Sequence, residues 1–158
     1  MKIKIRIISM LILGVVCSSM GSYAQSGRVI TNEGVVYEAN VNEALTKDEL
    51  KKITEVYGDQ TQEVVLNNPQ FLKDLKSLLR NRLEIFQITD VSKQKDCKLL
   101  SEIPLNDDYN PNIKRIAFKD VQSFNPLMYR LDFFAKGTYL YRIDNTNYFI
   151  QVTSQYRQ

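Results

Sequence analysis

At Leu83 the apolar period of this chain changes, and that change limits the folds open to it. Upstream, apolar residues recur three and four positions apart; downstream they alternate. Helical and strand segments segregated along a chain in this way lead to α+β architectures, with helices packed on one side of an antiparallel sheet. The helical half carries its own punctuation. Thr46-Lys47-Asp48-Glu49 sets a hydroxyl at a helix start and a glutamate three residues later, the capping-box arrangement that satisfies two orphaned amides. Leu50, Ile53 and Tyr57 follow at helical spacing and Gly58 suits a left-handed end, so a helix is predicted over 47–57. Residues 62–66 read as a short helical turn. Asn68 can then cap, and Pro69 begin, a second helix. Its stripe of Phe71, Leu72, Leu75, Leu78, Leu79 and Leu83 is expected to face a core, with Lys73, Lys76, Arg80 and Arg82 turned to solvent.

The alternating half begins with a strand over 83–90 and continues through a charged loop (91–98), a short strand (99–105) and an Asn/Asp/Pro-rich turn (106–111). Residues 113–122 read as an irregular strand or loop. Three β-rich runs follow, 127–134, 138–143 and 148–153, joined by Ala135-Lys136-Gly137 and Asp144-Asn145-Thr146-Asn147. Connections this short predict an antiparallel meander. Alternation directs Tyr129, Leu131, Phe133, Tyr139, Tyr141, Ile143, Tyr148, Ile150 and Val152 toward the helices and Arg130, Asp132, Arg142, Gln151 and Thr153 away from them. Met128, Phe134, Leu140 and Phe149 fall on the outer side too, which means either cover by the chain's own loops or an interface. Arginine mixed with aromatic side chains is the composition of interface hot spots, so Met128, Arg130, Phe134, Leu140, Arg142 and Phe149 form the candidate binding set. The expected fold is α+β: two helices packed on an antiparallel sheet of four or more strands, with a C-terminal three-stranded meander. It occupies one domain, 45–158, preceded by an arm or small hairpin over 25–44.

The N-terminus reads as an export signal. Lys2, Lys4 and Arg6 precede an apolar run of about ten residues, too short for the roughly 20 that span a bilayer, and Ser22-Tyr23-Ala24 supplies a small-x-small cleavage pattern. The bulky Val16 before Cys17 argues against lipoprotein processing, and cleavage after Ala24 is expected. The chain has 21 basic and 18 acidic residues; three basic and no acidic ones lie in 1–24, so the remainder balances at 18 of each. A neutral domain has no electrostatic claim on nucleic acid. No later run is apolar enough to span a membrane, and the expected location is the periplasm or outer membrane, or outside the cell.

Chemistry is constrained as well. There is no histidine, which excludes imidazole-based hydrolases and the commonest zinc ligand. Cys97 is alone after the leader, so neither a CxxC pair nor an internal disulfide can form; it is either partly exposed without a role or available for an intermolecular bridge. No phosphate-binding glycine loop occurs. Asn106-Asp107-Asp108-Tyr109-Asn110 and Asp144-Asn145-Thr146-Asn147 offer oxygen ligands, but both sit where Asx side chains form turns, and the turn reading is preferred to calcium. No cofactor is expected. A carboxylate-pair hydrolase is the remote reading, since no segment nominates a pair.

Phe124-Asn125-Pro126-Leu127-x-Tyr129, Phe133-Phe134, Gly137-Thr138, Tyr141-Arg142 and the run from Asp144 to Ile150, with Val56-Tyr57-Gly58 and Leu78-Leu79-Arg80-Asn81-Arg82 upstream, resemble small exported proteins of Bacteroidota-type bacteria. The resemblance implies a compartment and no activity. The leading expectation is a non-catalytic envelope protein that binds another envelope protein as an accessory or structural subunit of an outer-membrane or secretion assembly. The alternative is a periplasmic module for a small ligand or glycan.

Overall fold

A computed structural model of the chain describes residues 29–30, 34–90, 92, 94 and 96–156; the expected leader over 1–24 lies outside them. Among the described residues no helix is long and apolar enough to cross a membrane. The architecture is α+β: two helices and a four-stranded mixed sheet, with a small antiparallel pair of strands formed by the N-terminal arm.

Helix α1 (Lys47–Tyr57) starts on the capping box, Thr46 Oγ1 accepting from the Glu49 amide (3.1 Å) and Glu49 Oε2 accepting from the Thr46 amide (2.8 Å). It ends at Gly58, whose φ of 52° and ψ of −134° strain any residue with a Cβ. Its buried stripe is Glu49, Ile53, Val56 and Tyr57, and the expected Leu50 is exposed. A widened turn, Thr61–Leu66, leads to α2 (Pro69–Ser77), capped by Asn68 with proline in its first turn; α2 then widens again through Leu78–Arg82, where the Leu83 amide reaches back five residues to the Leu78 carbonyl.

The strands run β1 (Val29–Ile30), β2 (Val36–Tyr37), β3 (Leu83–Gln87), β4 (Lys98–Leu99), β5 (Thr138–Arg142) and β6 (Tyr148–Thr153). The main sheet has the order β3-β6-β5-β4, antiparallel except for the β4–β5 pair. Tyr139, Tyr141, Ile150 and Val152 face Ile53, Val56, Leu75 and Leu78 of the helical layer in one apolar core.

The short strand expected over 99–105 shrinks to Lys98–Leu99 before a tight helical turn at Leu100–Glu102, and two larger expectations fail. Residues 127–134 are not the first strand of a meander. Their predicted alternation is present, with Tyr129, Leu131 and Phe133 buried and Arg130, Asp132 and Phe134 exposed, but the backbone bonds to itself. The Leu131 amide donates to Tyr129 O (2.8 Å) and the Phe133 amide to Leu131 O (2.7 Å), two successive three-residue turns that leave only an isolated Tyr129–Leu105 bridge. The two-residue β4 takes the edge of β5 instead. The second failure concerns α2. Lys76 is buried and Arg80 is nearly so because the N-terminal arm crosses that face, whereas Arg82 is buried against the carbonyls of Phe133 and Thr153. Lys76 Nζ donates to Glu43 O (2.6 Å), Arg80 donates to Ala44 O (2.8 Å), to Asn40 O and to both Glu49 oxygens (2.6 and 2.7 Å), and Lys73 Nζ sits 4.4 Å above the Tyr37 ring. Long basic side chains bury their stems and carry donors to carbonyls that the arm would otherwise leave unmet. Val35, Tyr37 and Val41 form a separate small apolar cluster beneath the arm.

Candidate binding site

The six residues singled out by parity do not form one face. Met128 lies in the main core and Phe149 is fully buried. Phe149 does point to the outer side, where its ring stacks on Phe86 (centroids 6.1 Å apart) under the Arg142 guanidinium (5.7 Å). Because β3 and β4 run the same way at opposite edges, the chain must traverse the sheet to join them, and Cys97 arrives within the field of Arg142. Burial pushes the Cys97 thiol up in pKa, against that positive charge. Arg142 Nε is committed to Thr146 O (2.9 Å), and Leu140 is half-buried. Arg130 is exposed but turned onto the acidic loop, at 3.1 Å from Asp107 and 2.5 Å from Asp108, with its Nε on Leu105 O. Phe134 alone offers open apolar surface, beside Phe71 (6.4 Å).

The concave surface lies elsewhere, around the segment that sequence left as strand or loop. Residues 114–119 run without a turn, a bend or strand pairing between a turn at Asn110–Ile113, where the Ile113 amide bonds Asn110 O (3.2 Å), and a turn in which Asp120 accepts from the Ser123 amide (2.7 Å) and hydroxyl (2.9 Å). Side chains hold this segment down. Arg115 donates to Leu100 O (2.9 Å) and Ile103 O and lies 5.6 Å over the Tyr129 ring. Phe118 packs between Phe124 (5.6 Å) and Tyr148 (5.0 Å). Beneath it, Asn125 caps the turn Pro126–Met128 through the Leu127 amide (3.1 Å) and ties it to α1 through Lys52 O (2.8 Å) and Glu55 Oε2 (2.9 Å).

The segment is a ridge between two depressions. One, of about 150 Å³, is lined by Phe124, Met128 and Tyr129 with Glu55, Lys119 and Ser123 at its rim. The other, open and about 580 Å³, has Ser101, Arg115, Asp144, Asn145 and Thr146 on its walls. Ile116, Ala117 and Phe118 border both, and Ile116 is 62% exposed, the most open of the large apolar side chains described. Asp144 accepts from the Ser101 amide (2.8 Å) and hydroxyl; burial works to raise its pKa, but these bonds hold it below the usual carboxylate range. Burial raises Tyr129, with the Arg115 charge opposing. The acids considered for calcium are thus engaged, Asp107 and Asp108 by Arg130 and Asp144 by Ser101, and among the described residues no three His, Cys, Asp or Glu side chains gather as a metal site.

Fold and site together define an α+β domain bearing a ridged groove, where Asp144 and Arg115 are held by the protein itself. No family model matches the chain, and neither the curated proteins nor the solved structures give a significant match. The sequence signal for this site is faint. Lys114-Arg115-Ile116-Ala117-Phe118-Lys119 carries three cations and no acid, but lacks the caps or steady alternation that would have assigned it a structure.

Proposed function

We propose that this chain is a non-catalytic, exported envelope protein that binds another protein, as an accessory or structural subunit of an envelope assembly, and that the ridge of residues 114–119 is its docking face. The observation that carries this reading is Ile116, an isoleucine held open to solvent on a side-chain-anchored ridge between two depressions. An exposed aliphatic residue flanked by concave, partly apolar surface provides an anchor and the pockets around it, as interface hot spots require. The catalytic alternative has little to work with, since the chain lacks histidine and the Asp132 and Asp144 carboxylates are bonded to Tyr141 and Ser101.

The test is recovery of the tagged protein from gently solubilised envelope. A stoichiometric partner that is lost with Ile116→Asp and kept with the distant Phe134→Asp supports the proposal. A partner kept with Ile116→Asp and lost with Phe134→Asp moves the docking face; recovery of the protein alone overturns the reading. The larger depression supports a second one, because its aromatic floor and Ser, Asn and Thr walls suit a small polar ligand or glycan. That reading predicts an upward shift of Tm with glycans, by mass action on the native state.

A further inference from the structure

The ridge has a property that exposure alone does not convey. Among the described residues, no backbone amide or carbonyl of 114–119 makes a hydrogen bond; the stretch is free of turns, bends and ladders and is anchored through Arg115 and Phe118. An unbent backbone held open with its donors and acceptors unmet is a template to which a further strand can add. Lys114, Arg115 and Lys119 make it basic, and Lys114 and Lys119 are exposed and outside every ion pair of the described residues. Side-chain pockets of different size lie on its two sides.

We propose that the partner contributes an extended acidic peptide segment, which pairs with the backbone of 114–119 as an added strand. Its carboxylates meet Lys114 and Lys119, and one of its apolar side chains fills the depression under Phe118 and Phe124. This rests on the protein-binding reading and adds the chemistry of the partner. Backbone pairing supplies affinity, and the pockets and cations supply selection.

The probe is a short blocked valine-rich peptide with two acidic residues five positions apart, one on each face of the strand, used with the purified protein. Binding is read by fluorescence anisotropy and by amide hydrogen exchange. The acidic peptide is expected to bind and to protect amides within 114–119. Alternate N-methylation of the peptide backbone, replacement of its acids by lysine, or Lys114→Glu with Lys119→Glu in the protein is each expected to weaken binding about tenfold or more. The double variant is expected to keep its Tm, since both residues are exposed. Equal binding by the N-methylated peptide, protection confined to other segments, or a sulfated polysaccharide binding as tightly as the peptide would each overturn the proposal, the last by reducing the ridge to a general anion surface. An envelope partner that survives the double charge reversal also overturns it while leaving the protein-binding reading intact. Peptide binding with no envelope partner recovered leaves the strand site standing and removes the envelope role.

Discussion

Phe149 and Phe134 are alike in sequence terms, apolar residues of the same expected face, yet they carry opposite consequences. Phe149 is sealed between Phe86 and Arg142, so Phe149→Asp is expected to cost more than about 3 kcal/mol by emptying the buried space of the ring and desolvating a carboxylate, while Phe134→Asp stays within about 1 kcal/mol. Chemical denaturation of both variants checks this, and equal midpoints would contradict the buried placement of Phe149. Glu49 is the second residue with a sharp expectation. The Arg80 guanidinium bonded to both its oxygens, aided by Thr46 and opposed by burial, holds its pKa at about 2 against an ordinary 4.5. A carboxylate with a depressed native pKa contributes its full stability above the unfolded value and loses it as pH falls through the native one. Stability should therefore decline between about 4.5 and about 2 partly through this group. Glu49→Gln should lower stability at neutral pH by about 2 kcal/mol and flatten that decline; parallel pH curves for the two proteins would show that the pair contributes nothing. Arg82 poses the reverse case. It is buried with Nη1 on Phe133 O (2.7 Å) and Thr153 O (3.2 Å) while Nε and Nη2 find no partner among the described residues, and burial lowers its pKa against the Asp74 charge.

At the scale of elements, both helices begin where local chemistry stops the preceding chain. The Thr46–Glu49 box and the Asn68 cap with Pro69 are complete within four residues of sequence, so they were legible from it. Thr46→Ala removes the hydroxyl acceptor and is expected to cost about 1 kcal/mol, measured by denaturant midpoint; no change would mean that the box is redundant with the Arg80 bonds to Glu49. The β5–β6 hairpin was legible for a similar reason. Its loop from Asp144 to Asn147 turns on Asn145 at φ 55°, with Thr146 bonding Ile143 O through amide (3.2 Å) and hydroxyl (2.7 Å). Residues 127–134 show what alternation leaves open. Inside–outside alternation requires an extended chain beside a core, and successive three-residue turns meet that requirement without a ladder.

Over the whole molecule, the N-terminal arm acts as a strap with its own small core. Val36 donates to Gln155 O (2.9 Å), Asn40 and Asn81 exchange amide bonds (2.8 and 2.9 Å), Gln70 Nε2 donates to the Tyr37 hydroxyl (2.6 Å), and that hydroxyl donates to Asp74. Burial, with the Asp74 carboxylate, raises the Tyr37 pKa to about 12, so this bond keeps its proton through the neutral range. Because Val35, Tyr37 and Val41 cluster apart from the main core, the arm should open as a unit. Val41→Asp is expected to strip exchange protection from the described amides of 35–43 while leaving those of β5 and β6 unchanged; protection lost together across both would make the arm part of one cooperative core.

The sequence by itself determined the helix starts, the α+β segregation, the C-terminal hairpin and the in-or-out sense of nearly every residue from Tyr129 onward. Each of those is set by caps, turns and periodicity acting over a few neighbouring residues. Tertiary structure alone decided which segment borders β5, that Lys76 and Arg80 serve as donors to the arm, that Phe149 is covered, and that residues 114–119 stand as an unpaired ridge. These outcomes come from competition between distant segments for the same hydrogen-bonding edge or the same apolar face. Alternation and composition record that a side chain needs cover; they carry no record of which piece of chain supplies it.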